Sequence, residues 1–376
     1  MQQSKKVKYS KEFSSDFINT AKERVRAYFN ENNISRYGNT QMYIKTVAMV
    51  LIYLAPYFLI LSGLITNAWI IFALYLVMGV GMAGVGFSVM HDANHNSYSK
   101  NKTVNKYLGL IINLLGGNAL NWKIQHNVLH HTYTNVEGLD EDIKTVSILR
   151  FSPHQKHHKI HKFQYLYAWF FYGLMTIMWS TTKDFKQLKR YRIKGLLNQF
   201  EKTQFSTLFV KVLLAKVVYL GMFLVLPMIM LPFSWWLTLA FFFSMHFVAG
   251  LILASVFQPA HVMPTSEFPL PNENGIIENN WAVHQMYTTT NFAPNNKILS
   301  WFIGGLNYQI EHHLFPHVCH IHYSKINKII EKTALEYGLP YNSEKTFRSA
   351  LISHARMLKQ LGATADLGWR GSLRID

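Results

Sequence analysis

The sequence predicts an all-α integral membrane protein, with four transmembrane helices in two hairpins and a cytosolic helical cap. Three observations predict it. Apolar residues make up 49% of the 376-residue chain and gather into runs long enough to cross a bilayer. Within each of two pairs of runs, the link is only a few residues long and carries no Lys or Arg. The histidines, eighteen in all, fall mostly in tight groups at the ends of these runs.

Residues 47–65, 69–90, 211–231 and 235–257 are the expected spans. At about 1.5 Å per residue each covers the roughly 30 Å of hydrocarbon. Lys211 and Lys216 are expected to snorkel at one end of the third. The links at 66–68 and 232–234 are uncharged, whereas residues 1–46 hold nine Lys and Arg and residues 100–202 hold sixteen. The positive-inside rule therefore places both links outside, and both termini and all large loops in the cytoplasm. Residues 1–46 are polar and basic with no apolar signal region, and read as a cytosolic amino-terminal segment. Two further apolar runs are shorter or broken. Residues 107–120 include Gly116 and Gly117 and read as a re-entrant or interfacial segment. Residues 165–182 are long enough to span, but crossing would strand one histidine group on the far side. They are expected to lie on the membrane surface with their aromatic residues at headgroup level.

The formal charge of +17 raises the question of nucleic acid. Its distribution argues otherwise: the basic residues flank apolar segments, as cytoplasmic loops on an anionic leaflet do. Membrane lipids, an acidic electron carrier or a phosphate-bearing substrate are the expected partners, and nucleic acid is not. The lone cysteine, Cys319, excludes an internal disulfide and cysteine-based zinc or iron–sulfur sites. Imidazole is left as the available metal ligand.

The first histidine group directly follows the second span, as His91-Asp92-Ala93-Asn94-His95. The second is His126-Asn127-Val128-Leu129-His130-His131. The third is Gln309-Ile310-Glu311-His312-His313, and His261 sits just past the fourth span in Gln258-Pro259-Ala260-His261. The i, i+4 spacing stacks two imidazoles on one helix face. One such pair is more often a surface or core feature than a ligand set. Three groups at membrane boundaries are a different matter. Eight histidines exceed what one ion of four to six ligands takes, and they suit two ions, each with an open position. Imidazole suits iron, zinc, copper and nickel alike. Two irons activating O2 together supply an oxidant able to break an unactivated C–H bond, as carboxylate-bound iron pairs do in soluble bundles. The expected metal ligands are His91, His95, His126, His130, His131, His261, His312 and His313, with the cap holding a di-iron site and O2 as co-substrate. Asp92, Asp140, Glu141, Asp142 and Glu311 are candidates to orient the ring N–H groups. Gln309, one turn before His312 and His313, points at the same place and is the candidate catalytic side chain. His154, His157, His158 and His161 lie in a Lys-rich stretch and read as solvated or headgroup-facing. His246 lies too deep in the fourth span to join the cluster. His284, His317, His320 and His322 are not expected to be ligands. Trp122, Trp281 and Asn291 stand near the groups, the tryptophans as core packing.

The order H-x-x-x-H, H-x-x-x-H-H, Q-x-x-H-H resembles the membrane fatty acid desaturases, and the opening glutamine of the third box resembles their front-end type. The likeness runs from about Met90 to Pro316, and its most specific part is Gln309-Ile310-Glu311-His312-His313-Leu314-Phe315-Pro316. It implies a desaturase domain over 47–376 and iron ligation by the box histidines and by His261. The activity implied is O2-dependent introduction of a cis double bond into an acyl chain carried on lipid, CoA or a carrier protein. Many front-end members carry a fused cytochrome b5 domain with a His-Pro-Gly-Gly motif. That motif is absent here, so a separate donor such as ferredoxin or cytochrome b5 is expected. The Lys-rich chain resembles a bacterial member, which implies the bacterial inner membrane. The rival readings are a lipid or carotenoid hydroxylase of the same superfamily and a histidine-rich metal transporter.

Overall fold

The computed structural model describes residues 7–10, 16–144, 146–200 and 202–363. Residues 1–6 and 11–15 of the expected amino-terminal segment, and 364–376 of the expected desaturase domain, lie outside the described residues. Among the described residues, four helices are long and apolar enough to cross a membrane: Thr40–Leu61, Ala68–Asn94, Phe205–Met230 and Trp235–His261. The chain is thus a membrane protein with the four expected spans, but with other bounds: the first helix starts before 47 and ends at Leu61, short of 65, and the second and fourth run on to Asn94 and His261. The first begins at Thr40 because the Asn39 side chain accepts a hydrogen bond from Gln41 N at 3.0 Å. This cap satisfies a backbone donor at the helix start. Hydropathy marks where the bilayer is, whereas capping marks where the helix is.

The second and fourth spans form the centre of the bundle. The apolar window is 61% buried in the second and 50% in the fourth, against 33% and 28% in the first and third. Small residues make the central packing close. A Cβ on Gly81 would stand 2.5 Å from Tyr53 N, so the first hairpin can close this tightly only with glycine there. The outward faces are apolar, with Val47, Leu51, Ile70, Leu214 and Val217 exposed. Trp69, Trp235 and Trp236 are exposed beside the two short links, where an aromatic belt is expected. Lys216 does not snorkel. It is buried in an ion pair with Asp184 and donates to Gly116 O (2.6 Å) and Trp179 O (2.7 Å). A lysine this deep is held by a carboxylate and two carbonyls rather than by water.

Between the second and third spans the chain makes two excursions. Helix Lys102–Leu110 runs into a 3₁₀ turn, Ile111–Leu115, and a left-handed Gly116. Tyr53 of the first span donates to Leu114 O at 2.7 Å and holds this turn. The second excursion comprises Gln164–Gly173, Met175–Met178, Trp179–Lys183 and Asp184–Ile193. Both its ends return to one stretch, 124–150. At one end Gln164 Oε1 accepts from Arg150 N (2.8 Å), and at the other Gln187 Nε2 donates to Gln125 Oε1 (2.6 Å). Its middle packs on the fourth span, where Thr176 Oγ1 donates to His246 O at 2.7 Å. His246 is bonded on both ring nitrogens, to Thr176 and to Tyr219, and so serves this packing.

The cap is built from Phe17–Glu31, Trp281–Thr288, Gln309–Leu314 and Tyr323–Glu336, around a core that includes Phe17, Val25, Val283, Ile310 and Ile330. Two short parallel pairings tie it together, Lys8–Tyr9 with Ile276–Ile277 and Asn291–Phe292 with Ser343–Glu344. Helix Phe347–Ala363 folds back over the second excursion, with Tyr172 and His354 bonded at 2.7 Å. It also reverses the expectation for three of the Lys-rich histidines. His154, His157 and His161 donate to the carbonyls of Phe268 (2.7 Å), Gly362 (2.9 Å) and Ser147 (2.8 Å). They tie loops together rather than face water.

Candidate metal centre

Each histidine group is delivered by a local backbone feature. His91–Asn94 closes the second span after a π-helical turn at Gly86–Met90, and His95 caps it. The second group lies in a π-helix, Ile124–His130, closed by His131 N donating to His126 O at 3.0 Å. In a π-turn residues i and i+5 come into register. That is why His126, His130 and His131 all converge, where an α-helix would splay the last ring away. The third group occupies the six-residue helix Gln309–Leu314. It is docked on the second span by the preceding loop, where Gly304 has φ 62° and a Cβ would lie 2.6 Å from Phe87 O. Asn291 completes the mount: its Oδ1 accepts from Ile310 N (2.9 Å) and its Nδ2 donates to Glu311 (2.8 Å). His261 ends the fourth span.

The eight histidines face one another; seven are buried and His95 is half-buried, with its Nε2 enclosed. The ligand nitrogens of His91, His95, His126 and His312 lie within 4.8 Å of one another, and so do those of His130, His261 and His313. His131 stands between the two sets. Its Nε2 is 2.9 Å from His312 Nε2 and 3.3 Å from His126 Nε2, and its ring stacks on His313 with centroids 4.3 Å apart. Most of the outward nitrogens are held instead, although His91 Nδ1 and His131 Nδ1 have no hydrogen-bond partner. His130 Nδ1–H donates to Asp140, 3.1 Å from each oxygen, and His126 Nδ1–H to Asp142 at 3.3 Å. His313 Nδ1–H donates to Gln285 Oε1 (2.8 Å) and His261 Nδ1–H to Thr288 O (3.2 Å). Fixing the proton on Nδ1 leaves the Nε2 lone pair for a cation. The fit to metal is direct: His261 Nε2, His313 Nε2 and His95 Nε2 are buried with no hydrogen-bond partner, a costly condition unless something else binds them.

The electrostatics agree. Burial, reinforced by neighbouring imidazoles, holds His95, His131, His312 and His313 well below the usual histidine range, and His126 at about 3. These rings are neutral ligands at pH 7. His130 differs: burial alone would lower it, but Asp140 and Asp142 raise it to about 9. The two carboxylates make this end of the cluster a place where positive charge is favoured.

Not every expected acidic residue serves a box histidine. Asp92 bonds His320 at 2.8 Å and stands 3.8 Å from His91 Nδ1. Glu141 is ion-paired with Arg190, and Glu311 accepts from Asn291 and Tyr341. Gln285, Thr288 and Tyr323, the last 3.3 Å from His312 Nδ1, were given no sign by the sequence. Trp281 donates to His131 O at 2.9 Å, a role beyond packing. Gln309 is buried with its Nε2 unpartnered, on the helix that carries His312 and His313.

A cavity of about 470 Å³ runs along one flank of the cluster. Its inner end is formed by His126, His130, His261 and Trp122, whose ring tilts over His126 with centroids 4.5 Å apart. Its walls are mostly apolar, with Leu149, Phe171, Met175, Met178 and Leu253 among them, and Glu141, Asp142 and Arg190 also line it.

The profile of the fatty acid desaturase family matches residues 67–345, which covers the second span, all three boxes and most of the cap. The chain belongs to this family. The desaturase is accordingly an oxidoreductase that acts on fatty acyl chains. It is 36% identical over 349 residues to an sn-1 linoleoyl-lipid 6-desaturase of Synechocystis sp., covering 92% of this chain and 95% of the relative. A protein of the same description from Arthrospira platensis is 35% identical, with 95% of each chain covered. An acyl-lipid (8-3)-desaturase of Physcomitrium patens is 34% identical over 95% of this chain and 74% of its own. These relatives set aside the hydroxylase and transporter readings.

Proposed function

We propose that this desaturase places a cis double bond in an acyl chain lying in the 470 Å³ cavity, with front-end regioselectivity. The observation that carries this is the contact between an apolar cavity and the ligand face of His126, His130 and His261. The eight histidines would hold two irons, one among His91, His95, His126 and His312 and the other among His130, His261 and His313, with His131 between them. When bound, the irons supply O2 activation and the oxidant. The overall change is a saturated –CH2–CH2– unit plus O2, two electrons and two protons, giving a cis-alkene and two waters. The chain's own residues hold the acyl carbons beside the ligand face and keep water from it, while Asp140, Asp142 and Gln285 fix the rings. The Gln309 box and the relatives described as 6- and (8-3)-desaturases support the front-end position. Electrons come from a separate carrier, a ferredoxin or cytochrome b5. The test is expression in a host that supplies such a donor, followed by gas chromatography of total fatty acids. New cis-unsaturated chains are expected; hydroxylated chains in their place would overturn the reading.

We further propose that both termini and the metal centre face the cytoplasm of a bacterial inner membrane, on the charge asymmetry of the loops. Cys319 is buried, so introduced cysteines report cleanly. Cysteines at the exposed positions Thr66 and Ser234 should react with an impermeant thiol reagent from outside, and those at Lys156 and Lys189 should not. Outside labelling at Lys189 but not at Lys156 would mean that 164–183 crosses the membrane, against the interfacial placement.

A further inference from the structure

The mouth of the acyl cavity carries two lysines, Lys183 and Lys186, with no hydrogen bond or ion pair among the described residues. Of its lining residues, Lys144, Val146, Met178 and Lys186 are exposed, so the cavity opens between Lys144 and Val146 on one side and Met178 and Lys186 on the other. Lys183, half-buried in the wall, lies with its Nζ 5.3 Å from the centroid of the Trp179 ring. The carboxylates that act on Lys183, namely Asp142, Asp184 and Glu141, already have partners, Asp184 being ion-paired with Lys216. Glu141 takes Arg190, Lys144 (3.8 Å) and Lys194 (3.9 Å). Asp142 accepts from Gln125 and from His126. Burial lowers the Lys183 pKa, although Asp142, Asp184 and Glu141 act to raise it. An anion brought to this place would gain from both lysines and from the low dielectric of the wall.

The acyl reading of the cavity, on which this inference rests, fixes what that anion belongs to. Apolar walls lead from the mouth to His126, His130 and His261, so the hydrocarbon lies inward and its carrier stays at the mouth. We propose that Lys183 and Lys186 bind a phosphate on the carrier, so that the substrate is an acyl chain on a phosphate-bearing molecule rather than on an uncharged glycerolipid. A phosphoglycerolipid and a phosphorylated thioester carrier such as coenzyme A share this chemistry.

The test uses the iron-loaded full chain in proteoliposomes with a reducing system. Three substrates bear the same acyl group: a phosphoglycerolipid, an acyl-CoA and an uncharged glycosyl diacylglycerol. For at least one phosphate-bearing substrate, Lys183→Gln with Lys186→Gln should raise KM about tenfold or more, the scale of one lost charge-assisted contact. Turnover at saturation should change less than twofold, and Lys183→Arg should keep KM near its original value. The phosphate-bearing substrate whose KM moves is the carrier. Unchanged KM for both phosphate-bearing substrates would overturn the proposal. So would an equal rise for the glycolipid, which would show that the lysines only shape the wall. Met175→Trp, which fills the cavity, tests the underlying reading separately: it should depress kcat/KM on all three substrates. If it does not, the cavity reading fails, whatever the lysines do.

Discussion

Replacing His130 by Ala should reduce desaturation to below about 1% of the unaltered enzyme while the protein still accumulates in the membrane. His130 is fixed on both sides: its Nδ1–H lies 3.1 Å from both Asp140 oxygens, and its ring faces His261 and His313 with centroids 4.6 and 4.9 Å away. Its loss removes one of the three nitrogens of that set and leaves Asp140 a buried carboxylate without its imidazole donor. Asp140→Asn should be the graded counterpart. Removing the partner of a ligating imidazole typically costs about 10–100-fold in affinity or activity, because the ring loses its fixed tautomer and orientation. Asp140 also accepts from the backbone N–H groups of Asn135 and Asp142, both at 2.8 Å, so part of the local turn survives in the asparagine variant. The readouts are product yield by gas chromatography and iron per protein after purification. Both should fall together, further for His130→Ala than for Asp140→Asn. Full activity and full iron in His130→Ala would remove this residue from the ligand set.

Much of this site was legible because a bilayer and a metal both impose patterns on the chain. A span needs unbroken apolar sequence, so the four helices stood out even where their caps did not. The i, i+4 pairs marked the histidine groups, and the family resemblance, with Gln258 three residues before it, led to His261. What stayed hidden depends on contacts between distant segments. Gln285 and Thr288 hold His313 and His261 from a cap helix whose sequence has no histidine-box spacing. The π-turn at Ile124–His130 is a hydrogen-bond shift without a residue signature, yet it decides that three rings converge. Acidic residues adjacent to a box were poor guides for a related reason. Asp92 follows His91 directly, and neighbours on a helix point to different faces, so its carboxylate reaches His320 on another element. Asp140 and Asp142 succeed because they lie on a turn that folds back over the rings. The Lys-rich context of His154, His157 and His161 suggested water, but helix Phe347–Ala363 and its neighbouring loops bury their ring donors against carbonyls.

Gln309→Ala should lose at least about nine-tenths of activity, and the comparison of three substitutions shows why. Gln309 opens the helix that carries His312 and His313, and residues at i, i+3 and i+4 share a face. It is buried with its amide Nε2 unpartnered, so the fold carries the expense of a desolvated donor with no structural return. An amide binds iron weakly beside imidazole, but it can hold a water or orient the chain being oxidised. If that contact is its function, Gln309→Met should fail as Gln309→Ala does, since methionine keeps most of the volume and lacks the amide. Gln309→His should be the mildest of the three, because it restores a polar nitrogen on the same turn, with a shift in double-bond position or iron content as its signature. Yield, bond position and iron content measured for all three variants separate the cases. Should Gln309→Met match the unaltered enzyme in all three while Gln309→Ala fails, the side chain is filling space. Should Ala match as well, it contributes neither packing nor chemistry, and the opening glutamine of the box has no part in the reaction.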